Sequence, residues 1–184
     1  MREIIIGFSR SSLKFPIISY LIMFWETIYW SLKLKKVTIV KQSHCYLKFD
    51  TRKIFDDYMV YHAANNMMHY LPYSNFLKYN KVTKEYKILV SEEKYREIRK
   101  KLNKKIGEPY GYLQNIGIVI TDILSLSGIE KNNPWKNGYN CSEAIGEFLI
   151  YIDSSFISKV NLNRIKPQGI KILFNKYYGE DNGR

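Results

Sequence analysis

Few side chains in this chain of 184 residues can attack a carbonyl or carry a proton near neutral pH. They are two cysteines, Cys45 and Cys141, and three histidines, His44, His62 and His69. A thiol becomes a useful nucleophile when a neighbouring base or a helix N-terminus favours its thiolate. Cys141 has the second by sequence. Asn140 is a good N-cap, Glu143 falls in the first turn, and the apolar stretch CSEAIGEFLIYI continues as a helix. The partial positive charge at that helix start favours a thiolate. Upstream, Asn137-Gly138 allows a sharp turn that brings the thiol to the wall of a cleft. Taken alone, a cysteine on an apolar helix is equally a packing residue, so the decision rests on the histidines.

His44 opens the strand-like stretch SHCYLKFD, and His62 lies in the next one, YMVYHAA. If the two strands form a hairpin, both histidines occupy one face near one end. His44 then serves as general base and His62 as the polar group that orients its ring. His69, in MMHY, is the reserve for the orienting role. Cys45 alternates to the face opposite His44 and reads as core. No Cys/His cluster has zinc spacing, and the sequence asks for no metal or cofactor.

The elements that must position these residues follow from pattern and punctuation. Residues Glu3 to Phe8 read as a short buried strand. Pro16 suits the start of a helix running to about Leu34. Ser43 to Asp50 and Tyr58 to Ala64 alternate as strands around the charged turn TRKIFDD. NNMMHY turns into a further short strand, PYSNFLKYN suits a helical turn, and KVTKEYKILV is a strand. Ser91 caps a helix whose first turn is acidic and whose end is basic, with Gly107 as its stop. A helix with Pro109 near its start ends before Gly128, and a last helix follows Pro167. Strand, helix, three or four strands and then mostly helices is an α+β pattern. It predicts a single domain with one small antiparallel sheet and helices on a side of it. The tail from about residue 179 is expected to be flexible.

The composition bounds the partners. With 46% hydrophobic residues the chain can build an ordinary core. There are 29 Lys+Arg against 17 Asp+Glu, a net charge of +12. Such a balance favours nucleic acid, anionic lipid or cell-wall polymer, though a chain rich in Lys, Asn, Ile and Tyr also reads as the product of an AT-rich genome. Two cysteines do not make a disulfide framework. The N-terminus lacks the features of a secretory signal, which predicts a cytoplasmic or virion-associated protein. The stretch from Phe15 to Leu34 is nearly long enough to span a bilayer. Its interruption by Ser19, Glu26, Thr27 and Ser31 points instead to a buried or amphipathic helix.

The ordered set SHCYLKFD, VYHAA and GYNCSEAIGEFL resembles the permuted branch of the NlpC-like, papain-like cysteine hydrolases, which includes YiiX-type proteins and relatives of lecithin retinol acyltransferase. In ordinary papain-like enzymes the cysteine helix precedes the histidine strand, whereas in the permuted branch it comes late, the order His44, His62, Cys141 seen here. Ser43-His44 matches the start of the family's histidine strand, and Cys141-Ser142-Glu143 matches the start of its nucleophile helix. His62-Ala63 stands where the family often has Glu-Ala. The resemblance implies a permuted papain-like arrangement, with a Cys141-His44-His62 triad acting on an amide or ester. Peptidoglycan peptides are the expected substrate. Two other functions are carried with it: a lipid thioesterase or acyltransferase, and a catalytically silent module among the structural proteins of a phage particle.

Overall fold

A computed structural model describes residues 1–13, 17–64, 67–135, 138–158, 161–162 and 164–178. Pro16, Asn137 and the tail lie outside the described residues. The isoleucine-rich N-terminal stretch forms the interior strand β1 (Arg2–Ser11). Ile4, Ile5 and Ile6 are buried in succession because the strand is covered on both faces. It is followed by α1 (Ile17–Leu34), β2 (His44–Asp50), the short α2 (Arg52–Phe55), β3 (Tyr58–Ala64), β4 (Met67–Pro72), α3 (Tyr73–Tyr79) and β5 (Asn80–Val90). The second half is helical: α4 (Glu92–Asn103), α5 (Tyr112–Leu126), α6 (Cys141–Ile152), a 3-10 turn (Ser154–Ser158) and α7 (Pro167–Tyr178).

The five strands form one antiparallel sheet in the order β4-β3-β2-β1-β5, so the fold is α+β. One face carries Ile4, Ile6, Phe8, Cys45, Leu47, Phe49 and Tyr61 against Ala144, Ile145, Phe148 and Leu149 of α6 and Phe174 of α7. Deleting a ring such as Phe148 from a core of this kind costs about 3–5 kcal/mol. The helices do not all lie on one side, as the pattern had predicted. The Phe76 ring of α3 packs on Tyr46 and Val60 of the opposite face.

Three local readings also change. The turn TRKIFDD contains α2, closed by Asp56 in the left-handed region (φ 56°). Pro109 does not start α5. It bridges to Met67 beyond the sheet, and the helix begins at Tyr112. Gly107, at φ 86°, closes a turn after α4 and donates its N–H to the Met68 carbonyl. Among the described residues no helix is long and apolar enough to cross a membrane. Instead, α1 turns Ser19, Met23, Glu26 and Tyr29 inward and leaves Ile17, Ile18, Leu21 and Phe24 exposed.

Candidate active site

The approach to Cys141 is built from backbone. Tyr139 donates its N–H to the Pro109 carbonyl (2.7 Å) and accepts from Gly111 N–H (3.0 Å), forming a short parallel bridge. Gly138 makes this approach possible. Its φ is 95°, and a Cβ there would lie 2.5 Å from the Pro109 oxygen. Asn140 then caps α6, its Oδ1 accepting the Glu143 N–H at 2.8 Å. Only the oxygen of the amide can accept, so Nδ2 must point elsewhere. It is buried, and it has no hydrogen-bond partner among the described residues. Glu143 is fixed in turn by Gln114 Nε2 at 2.8 Å.

The Cys141 thiol shares a core cluster with Cys45 of β2 and feels the charge of His44, which precedes Cys45 in sequence. It is held well below the usual thiol range. The first cause is a hydrogen bond from the Cys45 side chain. Burial opposes it, and the charge and hydrogen bond of His44 and the Cys45 backbone N–H add to it. Cys45 shows the reverse: burial, then the contact with Cys141, push its thiol well above the usual value. Ser142 Oγ lies close to both sulfurs, 3.8 Å from Cys45 and 3.9 Å from Cys141. Both cysteines are free thiols.

The three histidines stand in a row. His44 Nε2 is 3.0 Å from His62 Nδ1, and His62 Nε2 is 3.2 Å from His69 Nε2. The register explains the row. His62 pairs directly with His69 across β3 and β4, while the β2–β3 register sets His44 diagonal to His62 on the same face. Phe76 covers His62 edge to face, with ring centroids 5.4 Å apart. Burial first, then the charges of the two flanking histidines, push the His62 imidazole well below its usual value, so it stays neutral. The nitrogens are joined in series and do not converge as metal ligands would.

A cavity of about 260 Å³ opens beside Cys141, Asn140 and Ser43. Its far wall is apolar, with Leu21, Ile22 and Trp25 from α1 and Ile116, Ile118 and Val119 from α5. Two buried polar groups reach that wall. Lys166 Nζ bonds both Asp122 oxygens, at 2.6 and 2.7 Å. Glu26 Oε2 accepts the Gln168 N–H at 3.0 Å, and burial above all pushes its carboxyl up to about 8. Ser19 Oγ and Ser43 Oγ, 2.5 Å apart, tie α1 to the residue before His44.

The chain matches no protein-family model, no curated protein and no solved structure. The arrangement therefore has to speak for itself. The structure joins His44, His62 and His69 in one row, and the Cys141 thiol feels the charge of His44. Sequence reasoning missed Cys45 as a donor, because strand alternation alone placed it on the face away from His44. It also missed the free amide of Asn140, which it read only as a cap.

Proposed function

We propose that the protein is a cysteine hydrolase that transfers an acyl group to water, with Cys141 as nucleophile, His44 as proton carrier and His62 as its orienting partner. The observation that carries this reading is the buried Cys141 thiol at the N-terminus of α6, beside a cavity, with its ionised form favoured by the Cys45 and His44 side chains. The thiolate attacks the carbonyl carbon of an amide or ester. The developing oxyanion is met by the Cys141 backbone N–H and by Asn140 Nδ2, the buried donor left unpaired. His44 gives its proton to the leaving nitrogen or oxygen, and the acyl group remains on sulfur as a thioester. His44 then takes a proton from water, whose oxygen attacks the thioester, and the acid departs as the thiol is restored.

The order of histidine strands before the cysteine helix, on an antiparallel sheet, supports a permuted papain-like arrangement and peptide amides of the cell wall as substrates. The cavity favours a second reading. Its wall of Leu21, Ile22, Ile116 and Val119 suits a hydrocarbon acyl chain, as in a lipid ester or thioester. Purified protein assayed for amine release from peptidoglycan and for fatty-acid release from lipid, beside Cys141→Ala, separates the two. Release of neither product would overturn hydrolysis of both substrate classes.

A further inference from the structure

Met67 lies two residues from His69 on β4, and its carbonyl oxygen is 3.2 Å from His69 Nδ1. A carbonyl can only accept, so that nitrogen carries the hydrogen. In a neutral His69, Nε2 is then bare and must accept. The atom facing it at 3.2 Å is His62 Nε2, which must therefore be protonated. That leaves His62 Nδ1 bare, 3.0 Å from His44 Nε2, which must donate. The nitrogen left for Cys141 is His44 Nδ1, whose lone pair takes the proton of the thiol and then, as Nδ1–H, faces the thiolate. One backbone oxygen thus sets the tautomers of three imidazoles, and the last of them is the form a general base requires.

We propose that His69 is a positioning residue for the Cys141–His44 pair, the end of a one-way hydrogen-bond chain that runs from the Met67 carbonyl through His62 to His44. The chain explains why a buried imidazole is tolerated at His62. Each of its nitrogens has a partner, whereas a buried nitrogen without one is costly. It also explains why His44 needs no carboxylate. When His44 takes the proton of Cys141 on Nδ1, it keeps its Nε2–H bond to His62, and no other proton has to move. The cross-strand pairing of His62 with His69 makes the geometry a property of the β3–β4 register.

The proposal rests on the reading of Cys141 as nucleophile for its consequence, but its geometry can be tested apart from it. In Cys141→Ala, long-range proton–nitrogen NMR correlation of the three rings at mildly alkaline pH is expected to show Nδ1–H at His69 and Nε2–H at His62 and His44. An Nδ1–H tautomer at His62 would overturn the chain whether or not the protein hydrolyses anything. In the otherwise native protein, His69→Phe is expected to slow Cys141 alkylation about 10-fold or more, as loss of an orienting partner does. His69→Gln, whose carbonyl can still accept from His62 Nε2–H, should recover most of the native rate. Equal rates for native protein and a folded His69→Phe would refute the positioning role. Should His69→Phe not fold, the tautomer measurement decides.

Discussion

Two buried thiols of one core cluster behave oppositely in this molecule. Cys45 on β2 and Cys141 at the start of α6 are almost equally hidden, at 0% and 5% exposure. Burial pushes both upward. Cys45 stays high through burial first and then its coupling to Cys141, whereas Cys141 falls well below the usual range because the Cys45 side chain, and against burial also His44 and the Cys45 backbone, favour its charged form. Burial opposes charge on both, and the neighbouring groups decide which sulfur carries it. Glu26 on the opposite wall shows the other outcome. With burial dominant, it is pushed up to about 8 and leaves the thiolate as the negative charge of that part of the cavity.

The largest break in this contrast comes from His44. His44→Ala is expected to lower hydrolysis about 10²- to 10⁴-fold, measured as turnover of whichever substrate the release assays identify. Next is Asn140→Asp, which keeps an oxygen to cap α6 but removes the Nδ2 donor. Its kcat is expected to drop about 10²-fold, while a melting curve shows the helix cap intact. Unchanged kcat would remove Asn140 from oxyanion binding. Cys45→Ala tests the contrast itself. Loss of a hydrogen bond to a charged sulfur should slow alkylation of Cys141 at neutral pH about 10-fold, and Cys45→Ser, which restores an O–H donor, should largely rescue it.

The smallest effect is on stability. Glu26 holds its proton in the fold up to about 8, so between the usual glutamate range and that pH the folded state binds the extra proton. Its contribution is full at low pH and is lost as pH rises toward 8. Glu26→Gln should flatten that part of the melting temperature profile. His62 has the opposite sign. It is neutral in the fold, and stability falls as pH drops below the usual histidine value, a slope that His62→Gln should reduce.

Much of the fold was legible where local signals suffice. Asn140 as cap, the Cys141 helix and the shared face of His44 and His62 follow from spacing of a few residues. The pairing of β5 with β1 did not, because nothing between residues 12 and 79 marks which edge the strand returns to. Pro109 was misread as a helix start because proline is equally at home outside a strand edge, where it bridges Met67. Cys45 was read correctly as buried. Its place in one core cluster with Cys141 was hidden because alternation assigns a face but does not say which distant helix covers it. The buried Lys166–Asp122 pair joins residues 44 apart and has no local signature at all.

The most direct test of the account is the pH dependence of Cys141 alkylation by iodoacetamide, followed by peptide mass analysis, in native protein and in His44→Ala. The account predicts rapid labelling that reaches its plateau well below pH 8.5, the usual thiol value, with Cys45 unlabelled, and a marked shift to higher pH in His44→Ala. Labelling that rises only near or above that pH, alike in both proteins, would contradict it.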